Sequence, residues 1–353
     1  MKISGNPYGL RREVKKKYMT ERLTDLTEYH RQRCREYARI LSAVGYNRNK
    51  IRGYEELPFL PVGLFKDIRL SSLKEDEACK TVTSSGTGGG QVSQIVLDAE
   101  TRILQQKVLS EIVGNFIGYQ RMPMLVLDSP GVVGKHNNFS ARTTAVYGFS
   151  LFGRNRTFAL RGDMSPDWET VRKFLEKYGK ESFLVFGFTF LAWNFFFRQM
   201  EQLKEKPDMS RGIFVHGGGW KKMEKEAVSK EEFKKRIRKM CGISRIYNYY
   251  GMAEQTGSIF MECEYGHLHC SDYSAVLFRR AEDFSMCEVG ETGLIQVMSL
   301  LPKSYPGHNL ITEDTGWLLG LDDCPCGRKG EYFEVLGRAQ NAEIRGCSDT
   351  YEP

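Results

Sequence analysis

Apolar residues recur at helical intervals over residues 13–44, at Tyr18, Leu23, Leu26, Tyr29, Tyr37, Ile40 and Leu41. This spacing predicts two amphipathic helices, with Gly45 as the stop. The pattern then changes. In Leu57-Pro58-Phe59-Leu60-Pro61-Val62 each proline pushes its predecessor toward extended geometry, so the segment cannot be helix interior. A helix is expected over 99–113. Short apolar runs then alternate with helical stretches through 124–128, 170–178, 183–188, 191–204, 212–216, 222–241 and 243–249. Such alternation is the signature of a sheet covered by helices. Past residue 258 strand and turn take over, punctuated by Gly290, Gly293, Gly307, Gly316 and Gly320. The expected fold is α/β in three parts: a helical N-terminal region over 1–78, an α/β core over 79–258, and a smaller β-rich lobe over 259–353.

Composition narrows the class. A chain of 353 residues, 41% hydrophobic and 12% aromatic, is globular and suits one large lobed domain or two domains. Residues 1–10 contain no apolar run of the signal-peptide kind. The most apolar segment, 183–197, is interrupted by Gly187, Thr189 and Asn194 and is too short to cross a bilayer. A cytoplasmic protein without a membrane span is the expectation. In that compartment nine cysteines point to thiols, metal ligands or a nucleophile rather than disulfides. The net charge is +7, with basic residues concentrated at 11–17 and 221–239. In the second cluster Lys222, Lys230 and Lys234 alternate with Glu224, Glu226, Glu231 and Glu232 at helical spacing. That mixture reads as a solvated helix face, against a nucleic-acid surface. The net charge still favours an anionic ligand such as ATP.

Candidate chemistry begins with Thr83-Ser84-Ser85-Gly86-Thr87-Gly88-Gly89-Gly90. Glycine lets backbone N–H groups approach a ligand closely. Successive N–H groups in such a turn form a concavity for anions, and the hydroxyls add donors. A flexible linker shares this composition, but the apolar, β-branched run over 92–97 favours a hairpin loop. No Gly-Lys-Ser/Thr ending follows, so this is not an ordinary P-loop. A second turn, His216-Gly217-Gly218-Gly219-Trp220, closes the apolar run Ile213-Phe214-Val215, at the strand end where α/β sheets bind ligands. A tight strand-to-helix turn is the plainer reading of it. Next comes Tyr247-Asn248-Tyr249-Tyr250-Gly251-Met252-Ala253-Glu254-Gln255-Thr256-Gly257, whose aromatics could stack a purine and whose carboxylate could hold a metal or ribose. Finally Glu313 and Asp314 lie together at a strand end, and Gly337-Arg338 follows a short apolar run.

The order of these pieces resembles that of adenylate-forming enzymes, the acyl-CoA synthetase and luciferase superfamily. Within it the chain resembles the acyl-protein synthetase (LuxE-type) family. The matching phrases are Leu60-Pro61-Val62 with Phe65-Lys66, the loop 84–89 with Val92-Ser93, His216-Gly217-Gly218-Gly219-Trp220-Lys221, Tyr250-Gly251-Met252-Ala253-Glu254-Gln255, and Arg345-Gly346-Cys347-Ser348. The phenylacetate-CoA ligase branch is more distantly similar, in Cys324-Pro325-Cys326-Gly327-Arg328. The resemblance implies the large-domain fold of that superfamily, with residues 84–89 cradling the ATP phosphates and Thr87 among the catalytic donors. It puts Gly217, Gly218, Gly219 and Tyr250 around adenine, Gly251 and Met252 among the ATP-binding residues, Glu254 on Mg²⁺, Asp314 on the ribose hydroxyls and Arg338 nearby. It breaks at two points: no Lys follows the loop glycines, and the chain stops soon after Arg338. The usual small C-terminal domain and its catalytic Lys are therefore not expected, and Asn341 stands at the acidic hinge position.

Without a second domain to deliver an acceptor, the chain would supply its own. In the resembling family a cysteine near the C-terminus carries the acyl group, and Cys347 is the fitting position. Arg345 would lower its pKa, and a thiolate suits a moderately stable ester. An ordinary surface thiol is the alternative. Cys263, His269, Cys324 and Cys326 could form a tetrahedral zinc site, with His267 as the competing fourth ligand; unrelated reduced thiols would explain them too. His136 could line the site or be merely solvated. The expected activity is ATP-dependent activation of a carboxylic acid, a fatty acid by resemblance, then acyl transfer to cysteine. Partners would be the acid and an acyl reductase or acyl-accepting protein. The alternatives are a stand-alone ligase to CoA, a carrier protein or an amine, and a weakly catalytic nucleotide-binding module.

Overall fold

The computed structural model describes residues 5–83, 92–133, 140–204, 206–220 and 227–339. They divide into two compact units, one within Met1–Phe116 and Gly251–Glu343, the other within Ile117–Tyr250. Sequence neighbours are thus not unit partners throughout: the N-terminal helices and the late strands share a unit.

In the first unit the strands run in the order Ser274–Arg279, Gly293–Ser299, Asn309–Leu321, Glu331–Arg338, Leu268–His269, Phe260–Glu262, all antiparallel. The short strand Leu60–Pro61 adds in parallel beside Asn309–Leu321, pairing Leu60 with Leu310 and Pro61 with Ile311. The proline-flanked segment is therefore extended, as its residues require. Helices Arg12–Arg33 and Arg35–Ala43 form as the periodicity predicts. Their buried face differs from the apolar list, however. Lys15, Thr24, Thr27 and His30 are buried beside Met19 and Leu23, while Tyr18, Leu26 and Tyr29 are half-buried. Polar groups can occupy this face because each finds a partner. Lys15 Nζ lies 2.6 Å from Glu331, Thr27 bonds His308 at 2.9 Å, and His30 bonds Ser72 at 2.8 Å. Met19, Leu23, Tyr54 and Leu57 then pack on Ala275, Leu277, Met298 and Leu300.

A separate antiparallel pair, Lys80–Thr83 with Gln94–Leu97, sets Thr83 opposite Gln94. These two strands flank the Ser/Thr/Gly run, whose residues 84–90 lie outside the described set.

The second unit holds a parallel sheet in the order Arg245–Tyr250, Gly212–Gly217, Phe183–Phe188, Met122–Val126, Gly153–Phe158. Helices Ala141–Phe149, Trp168–Tyr178 and Lys230–Cys241 accompany it. Neither the first of these nor the strand Gly153–Phe158 is among the elements that the sequence pattern predicts. That strand is an edge strand reading Gly-Arg-Asn-Arg-Thr-Phe, and edges tolerate charge. The helix expected from residue 222 starts instead at Lys230, where the Ser229 hydroxyl accepts from the Glu232 N–H as an N-cap; residues 221–226 are outside the described set. The helix expected over 191–204 is broken up, with helical Thr189–Ala192, a π-type turn Trp193–Phe197 and a last turn Arg198–Met200. The core gathers Phe183, Val185, Trp193, Phe196, Phe197 and Phe214. Most of the aromatic run 183–197 is packing material. Phe190 and Phe195 are its half-buried members, and they border a surface groove with Asn194, Arg198 and Gln199. No helix among the described residues is long and apolar enough to cross a membrane.

Candidate active site

In the second unit the turn after Gly212–Gly217 sits at the carboxyl end of a central parallel strand. Gly217 is buried and Gly218 and Gly219 are exposed, so the backbone of the last two is open to a ligand. A Cβ on Gly217 would lie 2.4 Å from the Tyr249 ring, which explains why only glycine fits. His216 fixes this turn from below. Its ring stacks on Phe214, with centroids 5.1 Å apart, and its Nδ1 lies 2.9 Å from the Thr189 hydroxyl. That hydroxyl donates to the Gly217 carbonyl at 3.1 Å, so it accepts from His216 Nδ1–H. Burial pulls the His216 pKa down to about 3, keeping the ring neutral. Tyr250, half-buried, ends the neighbouring strand Arg245–Tyr250.

The first unit carries the charged groups. Glu254 lies in the single turn Ala253–Gln255 and is 6% exposed. The turn is held from both sides: the Tyr305 hydroxyl donates to the Glu254 carbonyl at 2.8 Å, and the Gln255 amide donates to the carbonyls of Val297 and Gly307 at 3.1 and 2.9 Å. Burial raises the Glu254 pKa, and the Ser93 hydroxyl and the charges of Lys66 and Arg338 pull it partly back. Strand register delivers Arg338, because Asp314 pairs with Arg338 across the antiparallel strands. The guanidinium then bonds Glu313 at 2.5 Å and Asp314 at 3.3 Å. Lys66 follows from the strand Leu60–Pro61, after which the Val62 N–H donates to the Ile311 carbonyl at 2.9 Å and the helical turn Leu64–Asp67 begins.

Three carboxylates and two cations therefore gather in this unit. A buried carboxylate is the kind of group that could hold Mg²⁺ together with phosphate oxygens. The cations suit the anionic groups of a nucleotide. Ser84, Ser85, Gly86, Thr87, Gly88, Gly89, His136, Asn341 and Cys347 lie outside the described residues. Gly251 and Met252 link Tyr250 to the Glu254 turn.

Residues 1–352 match the family described as acyl-protein synthetase, LuxE. The chain belongs to this family. Among curated proteins it is similar to the long-chain-fatty-acid–luciferin-component ligase of Vibrio harveyi, 23% identical over 94% of this chain and 87% of that protein. The ligase of the same name from Aliivibrio fischeri is 22% identical over 83% and 77%. Among solved structures, 2-hydroxyisobutyryl-CoA ligase in its postadenylation state, in complex with R3-HIB-AMP, superposes with a TM-score of 0.72. That match is 14% identical and covers 97% of this chain and 74% of the ligase, so it shows a shared adenylate-forming ligase fold.

Two residues of this acyl-protein synthetase family member escaped sequence reasoning. Lys66 stood in a quoted phrase, Phe65-Lys66, without a role; only the pairing of Leu60–Pro61 with the late strand brings its charge to bear on Glu254. Thr189 carried no signal at all, since its partner His216 is 27 residues away.

Proposed function

We propose that this chain uses ATP to convert a long-chain fatty acid to an acyl-adenylate and then passes the acyl group to a cysteine thiol, its own Cys347 first. The family match over residues 1–352 carries this reading. The charged cluster of Glu254, Asp314, Arg338 and Lys66 supports it, and the long chain comes from the names of the Vibrio and Aliivibrio relatives. In the first half-reaction a carboxylate oxygen attacks the α-phosphorus, and the bond to the β-phosphate oxygen breaks to release pyrophosphate. In the second, the thiolate attacks the acyl carbon, a thioester forms, and the carbon–oxygen bond breaks to release AMP.

The loop 84–89 with Thr87 would donate N–H and O–H bonds to the phosphates, Gly217–Gly219 and Tyr250 would take the adenine, and Asp314 the ribose hydroxyls. Mg²⁺ on Glu254 would neutralise charge on the phosphates. Lys66 and Arg338 would add fixed positive charge, the term that usually dominates such chemistry. This supplies cations where the loop itself has no Lys.

The decisive measurement pairs pyrophosphate exchange across a panel of carboxylic acids with detection of a hydroxylamine-labile adduct. Exchange should be greatest with long-chain acids, and Cys347→Ser should abolish the adduct while sparing exchange. An adduct persisting in that variant moves the acceptor to another cysteine. Exchange with product only on added CoA favours a ligase of the CoA type, and no exchange with any acid reduces the chain to a nucleotide binder.

A further inference from the structure

A second set of chemistry-bearing residues lies on two hairpin loops of the first unit. Cys263 follows the strand Phe260–Glu262, and His269 ends the strand Leu268–His269 that pairs with it. Cys324 and Cys326 occupy the loop between Asn309–Leu321 and Glu331–Arg338. The two hairpins are neighbours, because Leu268 pairs with Phe333 and His269 with Tyr332. The loops also share one local geometry. Gly266 N–H donates to the Cys263 carbonyl at 2.9 Å, and Gly327 N–H donates to the Cys324 carbonyl at 3.0 Å. The two glycines have φ of +82° and +83°, a conformation that suits glycine and that closes each turn around its cysteine. Such paired turns are the knuckles on which closed metal sites are built.

We propose that these turns hold a structural zinc ion, ligated by Cys263 Sγ, Cys324 Sγ, Cys326 Sγ and His269 Nε2. The four donor atoms all lie within 4.8 Å of one another. A tetrahedron with zinc–sulfur bonds of about 2.3 Å has sulfur–sulfur edges of about 3.8 Å, and mixed sulfur–nitrogen edges of about 3.5 Å. The Cys263–Cys324 separation is 3.9 Å and the Cys326–His269 separation 3.3 Å. Preorganisation at these spacings is hard to account for by packing alone. Three thiolates and one imidazole favour zinc over the hard cations, which take oxygen.

His267 is not one of these four mutually close donors. Its Nδ1 lies 3.3 Å from Cys324 Sγ, close enough to hydrogen-bond that thiolate once the ion is bound. Both histidine rings lie flat against Tyr332, at centroid distances of 5.0 and 5.7 Å, which fixes their orientation. Three thiolates and a divalent ion leave one net negative charge. Arg328, two residues beyond Cys326, brings a positive charge to the loop; its guanidinium lies 3.8 Å over the Phe116 ring and 3.4 Å from Glu264.

With four protein ligands no coordination position is open, so the ion is structural. It clips together the loops of two hairpins, one of which carries Glu313, Asp314 and Arg338 on its strands.

The experiment is elemental analysis of protein purified reduced and without chelator, followed by cobalt substitution. The expected result is about one zinc per chain, displaced by a mercurial reagent, and a cobalt form with thiolate charge-transfer bands and the intense visible bands of tetrahedral geometry. Cys324→Ser should lose the ion and unfold at lower temperature. His267→Ala should keep both ion and spectrum, as should the control Cys287→Ser. Because a cysteine variant may fail to fold, the mercurial release and cobalt spectrum of the unaltered protein stand by themselves. Folded protein that neither contains nor takes up zinc would overturn the site, as would a Cys263–Cys324 disulfide, an octahedral cobalt spectrum, or zinc retained in Cys324→Ser. Loss of the ion in His267→Ala with retention in His269→Ala would overturn the ligand assignment.

Discussion

At the scale of single residues, Glu254 shows how a position proposed to serve function carries a cost to stability. Its carboxyl is buried, and burial raises its pKa. A raised carboxyl pKa means the folded chain binds the proton more tightly than the unfolded one, so stability falls as pH rises through that window. At neutral pH Glu254 is thus a liability to the fold. Glu254→Gln should leave the protein at least as resistant to heat at pH 7, while acid-dependent pyrophosphate exchange falls tenfold or more, about 1.4 kcal/mol of transition-state stabilisation. The pH dependence has a definite sign too. If Glu254 holds Mg²⁺ as proposed, protons compete with the ion at a higher pH than for an ordinary carboxylate, and the Mg²⁺ needed for half-maximal exchange should rise as pH is lowered. Lys66 gives a companion expectation. Lys66→Met removes a charge that acts on Glu254, and should lower exchange while raising the apparent carboxyl pKa in the Mg²⁺ profile. An unchanged profile would separate Lys66 from the site.

At the scale of elements, the strand-end turn after Gly212–Gly217 depends on close backbone approach. A methyl group at residue 217 would meet the Tyr249 ring at 2.4 Å, and neither strand can yield because both lie within the parallel sheet. Gly217→Ala should destabilise the second unit by about 1–3 kcal/mol, the usual range for overpacking, read as a lowered urea midpoint. Thr189 acts on the same turn through hydrogen bonds to His216 and Gly217. Thr189→Val keeps the shape and removes both bonds. It should raise the KM for ATP more than it lowers kcat, since what it disturbs is the turn proposed to take the adenine.

At the scale of the whole molecule, buried histidines set the response to acid. His30 and His308 stack at 5.1 Å inside the first unit. Burial pulls His30 down to about 3 and His308 well below its ordinary value. Arg33 adds to the effect at His30, while the hydrogen bond to the Pro302 carbonyl opposes it. A depressed histidine pKa means the unfolded chain takes up protons the folded chain refuses. Stability is therefore intact above about pH 6.5, the ordinary value, and falls as pH drops toward 3. Each such histidine contributes up to about 1.4 kcal/mol per pH unit in that window. Urea unfolding between pH 7 and pH 5 should show this slope, and His308→Gln should reduce it by about one proton. A slope unaffected by that change would place the acid-sensitive groups elsewhere.

Much of this protein was legible along the chain, and the reason is local. Helical periodicity, proline restriction and strand-ending glycines act over a few residues, so the N-terminal helices, the extended segment at Leu60–Pro61, the strands Phe183–Phe188 and Gly212–Gly217 and the late β-rich region could be read directly. The cysteine and histidine spacing likewise pointed to the four donors that the fold gathers. What required the tertiary structure were features whose cause lies far away in sequence. A polar helix face became core because Glu331, His308 and Ser72 met Lys15, Thr27 and His30. The strand Gly153–Phe158 exists because a sheet edge accepts its arginines. Lys66 gained its setting through a strand pairing that spans some 250 residues of chain. Local sequence determines which elements form and which residue types are available for chemistry. Long-range pairing decides which charges come near Glu254 and which histidine faces the thiols, because electrostatic and coordination energies depend on distances that no local pattern encodes.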